Sequence, residues 1–370
     1  MTHSHDLRLF SVLGLACLCV SIARAEEWPR WRGPRGDGTW HAPPLPKQWP
    51  EPGLKVLWKR PVGGGYSGLA VANGIVYTLD RRKEPLEVER LLALDAATGE
   101  PHWSAEYPVR YEKLDYGNGP RSTPTIHAGR VYTLGGRGRR HNSRVGPGRI
   151  APHLARPGDR ASGGQPNACL LALDRTTGKE VWRQGGDPAG YATPILIQHA
   201  GREQLVAWTP LHIVGLDPGT GKQHWSIPYK VTYGVSIATP IFHEGLLFVS
   251  GYCEGSKAIQ LGDLPEAAEL AWEDNRHLRG IMSQPIYRQG HVYSLDKQYG
   301  LTCFELATGK KLWDDGNRMA PRGRNPQANL VWLGSSDRAT WAHPAFAGDR
   351  VFARTDEEIV TLQLPTAAPD

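Results

Sequence analysis

Cysteine is scarce in this chain, with five in 370 residues, no two of them adjacent and none in a Cys-x-x-Cys pair. That excludes a disulfide framework and gives a structural zinc site no local support. Cys17 and Cys19 sit in the apolar N-terminal run, which leaves Cys169, Cys253 and Cys303 downstream, a sparse and odd set. Buried thiols are the expected state, and one bridge between two of the three is the alternative. Long hydrophobic runs are also lacking beyond the start. Leu9 to Ile22 is apolar except for Ser11, Gly14 and Ser21, too short to span a bilayer, and Ala23-Arg24-Ala25 follows it. This order reads as a signal peptide over 1–25 cleaved before Glu26. The residues before Cys17 and Cys19 do not form a lipid-attachment site, so simple cleavage is expected. The rest of the chain has no transmembrane segment, and the localisation expected is exported: periplasmic, cell envelope or secreted.

Local catalytic signatures are missing as well. The 14 His make no His-Glu-x-x-His motif. No Gly-x-x-x-x-Gly-Lys phosphate loop occurs, and Gly63-Gly64-Gly65 leads into strands instead. No Gly-x-Ser-x-Gly elbow is present. The net charge of +6 is local. Arg137 to Arg160 holds seven Arg against Asp159, and the remainder is balanced. A general footprint for nucleic acid is therefore not indicated.

What the sequence has is a repeat. Leu92-Ala93-Leu94-Asp95-Ala96-Ala97-Thr98-Gly99-Glu100-Pro101-His102-Trp103 recurs as Leu171 to Trp182, as Val214 to Trp225 and as Thr302 to Trp313. A degenerate copy runs from Ala258 to Trp272. Upstream of the copies lies a Pro followed five residues later by Gly, as in Pro124 with Gly129, Pro240 with Gly245 and Pro285 with Gly290. Short alternating runs such as Arg130-Val131-Tyr132-Thr133-Leu134 are strand-like. Asp-x-x-Thr-Gly is a tight hairpin, its Asp capping backbone N–H groups and its Gly supplying positive φ. The Trp then falls in an outer strand, and the Pro starts an inner one, where its missing N–H is tolerated.

Trp103, Trp182, Trp225, Trp272 and Trp313 are 79, 43, 47 and 41 residues apart. Periods near 43 with about four short strands each are those of propeller blades. The long interval holds one Pro motif and one turn, so it is one blade with an insertion at about 136–166. The last repeat ends at Leu364 without a Trp strand, while Leu54-Lys55-Val56-Leu57-Trp58 is a Trp strand with nothing before it. Joining them removes the exposed edges. The expected fold is all-β: a propeller of four-stranded antiparallel blades, six in number, closed by strand 54–58. A seventh blade would have to lie in the weaker stretches 226–272 or 314–345, and eight would need more chain. The expected organisation is a Trp-rich arm at 26–53, one propeller domain at 54–365 and a tail at 366–370.

These Asp-x-x-Thr-Gly-x-x-x-Trp units resemble the repeats of the pyrroloquinoline-quinone-type (PQQ-like) propellers. Trp28-Pro29-Arg30-Trp31-Arg32-Gly33-Pro34-Arg35-Gly36-Asp37-Gly38 is similar to the opening of secreted bacterial members. The resemblance spans Trp28 to about Leu364. It implies either a non-catalytic scaffold like the BamB-type assembly factor or a small quinoprotein oxidoreductase acting on alcohols or aldoses. The second would need PQQ with Ca²⁺, a vicinal Cys pair, a Trp platform and a base Asp. No adjacent cysteines occur and no residue marks such a site. A non-catalytic module without cofactor or metal, binding a protein or an envelope component, is the expected reading.

Propeller ligands gather where loops converge at the channel mouth. Three residues before the repeat Pro, or its equivalent, stand Tyr66, Arg121, Tyr191, Ile237, Met282 and Trp341. Tyr111 and Tyr116 precede Arg121 and add to that rim. Aromatic and Arg side chains suit recognition, with simple channel packing as the alternative. Arg137, Arg139, Arg140, Arg144 and Arg149 in the insertion offer a site for an anionic partner; the alternative is a tolerated surface loop. His127, His199 and His243 are expected to be solvated at blade turns, and His343, just before Pro344, to line the inner strand. Trp28, Trp31, Trp40 and Trp49 are expected to pack on the ring.

Overall fold

The computed structural model describes residues 26–47, 51, 53–109, 119–135, 169–234, 236–251, 254–280, 283–296, 298–316 and 342–365. The strands form six four-stranded antiparallel sheets, each a simple meander, in the arrangement of a six-bladed propeller. The first five blades run from Ala70 to Pro108, Thr125 to Gln184, Ile195 to Pro228, Ile241 to Asp274 and Ile286 to Asp314. The sixth combines Ala345–Ala347, Arg350–Arg354 and Glu358–Gln363 with the early strand Lys55–Pro61, which pairs antiparallel with Glu358–Gln363. Both ends of the chain thus share one sheet, as the orphan Trp58 strand predicts. Among the described residues no helix is long and apolar enough to cross a membrane.

The blades share a small set of local devices. In the first five blades strands one and two are joined by a turn with positive φ at both central residues, as at Asn73 (53°) and Gly74 (74°). This is the geometry of a two-residue hairpin loop that matches sheet twist. The Gly five residues after Pro124, Pro240 and Pro285 is the second residue of that turn. In the first three blades strands three and four are joined by the Asp turn, and in the fifth Glu305 stands in the place of the Asp. Asp95 Oδ1 accepts from Ala97 N, Thr98 N and Thr98 Oγ1 at 2.8–2.9 Å. Asp174 and Asp217 repeat the arrangement.

The repeat Trp is a fastener between blades. Trp58, Trp103, Trp182 and Trp272 each lie against the turn Gly of the next blade: Gly99, Gly178, Gly221 and Gly309. A Cβ on any of those glycines would come within 2.5–2.7 Å of the indole. Each indole N–H donates to a carbonyl of the same turn, at Ala96, Arg175, Pro218 and Leu306, over 2.9–3.1 Å. The cross-strand partner is Ala93 for Trp103, Ala172 for Trp182 and Ala258 for Trp272, with a bulge immediately after it. The small partner leaves room for the ring, and the bulge turns it toward the neighbour.

Two tryptophans depart from this rule where the next blade lacks the turn. Trp225 faces the degenerate fourth repeat and turns onto its own sheet, over Gly215, donating to Gln204 Oε1. Trp313 precedes the sixth blade, which has no Asp turn, and is 45% exposed where Trp182 is 8%. Apolar clusters fill the other junctions: first to second, second to third, third to fourth, fourth to fifth, and sixth to first. Cys169 and Cys303 are buried free thiols in different blades, as expected. Burial pushes the Cys169 thiol up to about 12.

The N-terminal arm lies on the axial side of the ring. Trp28 exchanges backbone hydrogen bonds with Val71 on the free inner edge of the first blade. Pro29 O accepts from Ile126 N on the inner strand of the second. Glu26 O accepts from Gly348 N at the sixth. Trp28 is 1% exposed, Trp40 stacks on Phe346 at 4.2 Å, and Trp31 meets the His343 ring edge at 4.4 Å. The arginines of the arm hold its own turn: Arg30 donates to Pro34 O, Arg32 to Asp37 O, and Arg35 pairs with Glu26. Trp49, residues 1–25, the insertion and the tail lie outside the described residues.

Candidate functional site

All six connectors from an outer strand to the next inner strand leave from one face of the ring. The turns between second and third strands share that face, including the ends of the insertion, where Gly135 N donates to Cys169 O and Cys169 N to Gly185 O. The residues just before the inner strands touch from blade to blade. A Cβ on Gly68 would meet Thr123 Oγ1 at 2.6 Å and His343 O at 3.3 Å. Thr193 Oγ1 accepts from Thr123 N at 3.4 Å. Gln284 exchanges hydrogen bonds with the Thr239 backbone at 2.8 and 2.9 Å. Ser236 O accepts from both Tyr191 N and Ala192 N. His343 belongs to this ring; burial holds its imidazole below the usual range, with the nearby Arg32 charge adding to the effect.

Above the ring the structure brings three of the sequence-predicted rim residues together. The Arg121 guanidinium lies over the Tyr66 ring at 5.0 Å and over the Tyr191 ring at 4.8 Å. The three come from consecutive connectors at the same repeat offset, so their adjacency follows from the ring. All three are half-buried. Backbone bonds fix the platform: Tyr66 N to Pro120 O at 2.8 Å, and Tyr191 N to Ser236 O at 2.9 Å. Gly65 and Gly119 pack backbone on backbone beneath it, where a Cβ on Gly119 would lie 2.6 Å from the Gly65 Cα. Ile237 is half-buried in its connector. Tyr111, Tyr116, Met282, Trp341 and the five insertion arginines, Arg137 to Arg149, lie outside the described residues.

A buried polar network supports the Tyr66 connector. Arg354, 2% exposed, donates to Gly63 O, Leu79 O and Thr355 O at 2.6–3.0 Å and to Thr78 Oγ1. Burial lowers its guanidinium to about 10, still charged at neutral pH. Asp80, fully buried, takes both Arg90 donors and Gly63 N. Arg354 stands where the other blades carry Leu79, Leu134, Trp208, Ser250 and Leu295, so nothing in the repeat marks it, whereas Asp80 has a counterpart in the buried Asp296 of the fifth blade, which accepts from Arg279 N.

One further pair escaped the sequence reading. Asp187 Oδ2 contacts His212 Nδ1 at 2.8 Å and takes Thr209 Oγ1 at 2.5 Å. The carboxylate fixes the imidazole orientation, as in general-base and metal sites. Thr209, the hydroxyl beside it, is tied to Asp187 itself and to the turn through His212 N. The two residues belong to different loops, so no local spacing reveals them. Of the turn histidines, His199 is engaged with Leu261 O rather than simply solvated. His127 pairs with Glu203, and His243 lies against Tyr287.

The residues around the axis can be set against what a Ca²⁺-bound quinone requires. The inner ring supplies hydroxyl, amide and imidazole groups, with no carboxylate among Gly68, Thr123, Thr193, Thr239, Gln284 and His343. Trp28 and Pro29 of the arm bond the inner edges of the first two blades. No group of three or more His, Cys, Asp or Glu gathers among the described residues. These residues do not fit that cofactor.

No curated protein matches the chain. BamB from Moraxella catarrhalis is similar at 15% identity over 86% of this chain and 99% of its own, with a TM-score of 0.45. The quinohemoprotein alcohol dehydrogenase from Comamonas testosteroni is similar at 14% identity over 78% of this chain and 49% of its own, with a TM-score of 0.48. A family described as outer membrane protein assembly factor BamB matches residues 39–315, the greater part of the sequence and most of the ring. The chain therefore belongs to that family of PQQ-like repeat propellers.

Proposed function

We propose that this protein is a non-catalytic binding scaffold, exported to the cell envelope or beyond, which engages a protein partner through the connector face. The observation that carries this reading is the Tyr66–Arg121–Tyr191 stack, a rigid platform built from three consecutive blades. Aromatic and guanidinium groups on backbone-fixed connectors recognise partners at low entropic cost. The inner ring and the axial arm favour binding on the face over chemistry inside the channel. The Ala-Arg-Ala segment before Glu26 supports export, and membership of the BamB family supports an envelope role. The domain limits we adopt are a signal at 1–25, the arm, one propeller over 54–365 and a short tail.

The test is affinity capture from an envelope extract with the wild-type chain and with a Tyr66→Ala, Tyr191→Ala variant of unchanged melting behaviour. Partners retained by the wild type are expected to be lost from the variant. Dye-linked dehydrogenase assays with added PQQ and Ca²⁺ run alongside. Saturable PQQ binding with turnover of an alcohol or an aldose would overturn the scaffold reading.

A further inference from the structure

Each blade presents a cross-strand row to the blade that follows it, one residue from each strand, ending on the outer-strand Trp. In the second blade the row is Thr125–Tyr132–Ala172–Trp182, and in the fourth it is Ile241–Phe248–Ala258–Trp272. The second-strand member is fully buried in five blades, as Tyr77, Tyr132, Val206, Phe248 and Phe352. The fifth blade carries the same row as Ile286–Tyr293–Cys303–Trp313. There the burial fails: Ile286 is 52% exposed, Tyr293 is only half-buried, and Trp313 is half-exposed.

The sixth blade does not supply what is missing. Its side toward the fifth is the apolar cluster of Val351, Val360, Leu362 and Leu364, packed with Leu54 and Trp40. That cluster contains no residue of the fifth blade, and among the described residues no apolar cluster joins the two blades. Two apolar sides therefore border one seam, where the other junctions are filled.

Both ends of one connector stand at this seam. Residues 315–344, between the fifth outer strand and the sixth inner strand, form the longest connector of the six; others run over 185–194, 229–240 and 275–285. The described chain leaves at Gly316, just after Trp313, and returns at Ala342, just before the inner strand at Ala345. In the sequence between them stands the connector's only run of four apolar residues, Leu330-Val331-Trp332-Leu333. An apolar run in a connector is unfavourable in water unless a surface takes it up.

We propose that the Leu330–Leu333 run docks on the open side of the fifth blade, against Ile286, Tyr293 and Trp313. The occupant is the chain itself because a run tethered at both sides of the seam has an effective concentration that a free partner or a second copy does not reach. Ordering the connector offsets most of what burial of the run gains, so the contact adds little to global stability and is read locally. The inference is independent of the scaffold reading, since Tyr66, Arg121 and Tyr191 take no part in it. A filled seam leaves the connector face, rather than the flank of the ring, to a partner.

The test is hydrogen exchange of the full chain, read by mass spectrometry over residues 328–334. Exchange there is expected to be about fivefold slower, or more, than in the same peptide free in solution. Trp313→Ser is expected to remove that protection while leaving exchange over 241–251 unchanged. Ile286→Ser, at an exposed position, serves in its place should Trp313→Ser fold poorly. In the reverse direction, the thiol of Ile286→Cys should react with a maleimide about fivefold faster once Trp332→Ser is added. Exchange over 328–334 at the free-peptide rate, protection that survives both serine substitutions, or unchanged thiol reactivity would overturn the proposal. A dimer in sedimentation velocity that Trp313→Ser dissociates would overturn it too, because a second copy would then hold the seam.

Discussion

Substituting Gly178 by Ala tests the fastening of one blade to the next. Gly178 has φ of +68°, and an added Cβ would lie 2.5 Å from Trp103 Cε3 and 2.7 Å from Cδ2. Gly129, in the same blade, has φ of +76° with nothing within 4 Å of its Cβ position. Both positions carry the backbone penalty of a left-handed alanine, about 1–2 kcal/mol. Only Gly178 adds a clash with a ring that cannot retreat, because the Trp103 indole donates to Arg175 O at 2.9 Å. Overpacking of that kind costs about 1–3 kcal/mol. Gly178→Ala should therefore cost about 2–5 kcal/mol and Gly129→Ala about 1–2 kcal/mol. Urea unfolding followed by far-UV circular dichroism gives both values. The decisive step is the double-mutant cycle: in a Trp103→Ala background, Gly178→Ala should fall to the Gly129→Ala value. Equal costs for the two glycines in the wild-type background would refute the fastener, as would a Gly178→Ala penalty that survives removal of the indole.

The other expectations follow from single groups. Trp182→Ser should cost about 3–5 kcal/mol, since the ring is buried against Gly221, while the half-exposed Trp313→Ser should cost about 1 kcal/mol or less in the same denaturation assay. Arg354→Leu would leave the carbonyls of Gly63, Leu79 and Thr355 without their donor in the interior, at about 1–3 kcal/mol for each group; a variant as stable as wild type would show that the network is dispensable. His343 has a folded-state pKa depressed below its ordinary 6.5 by burial. Its contribution is present above about that value and is lost as pH falls toward the folded-state value, because the unfolded chain then binds the proton more readily. Denaturation midpoints should decline as pH falls below about 6.5 in the wild type and less in His343→Gln. Asp174 is held below its ordinary value of 3.8 by the Thr177 hydroxyl and backbone N–H groups. Its stabilisation is present above that value and lost as pH drops through the depressed one, so Asp174→Asn should flatten the acid limb of the stability profile.

Much of the ring was legible because each element of the repeat answers a local requirement. Asp95 caps its own turn, Gly74 and Gly99 supply positive φ, and Pro124 stands before a strand whose N–H it does not need. Those constraints act within a few residues and leave a trace in one sequence. Partners across blades leave none. That Gly178 must be small for Trp103 as well as left-handed is invisible in the string, because either reason alone selects Gly. Arg354 and Asp187 act on residues far along the chain, Gly63 and His212, through contacts that only the closed ring creates. The arm was expected against the ring, and its Trp residues announced burial, but its place along the inner edges came from hydrogen bonds to Val71 and Ile126 that no spacing encodes.

The candidate site falls between these cases, and the reason bears on how such rings acquire function. Tyr66, Arg121 and Tyr191 share one offset from the inner strand, so the repeat itself predicts that they are neighbours on one rim. It is silent on what stands there, because that offset carries no structural duty: across the blades it holds Tyr, Arg, Tyr and Ile among the described residues. Positions with a structural duty show the opposite behaviour. Where the Asp turn is missing from a following blade, the preceding Trp loses its seat, and Trp225 folds back while Trp313 stands half in solvent. The freedom of the rim and the rigidity of the turn are thus two consequences of one arrangement. The turns and indoles fix the blades, and the connectors, relieved of that task, are free to carry an arginine between two tyrosines.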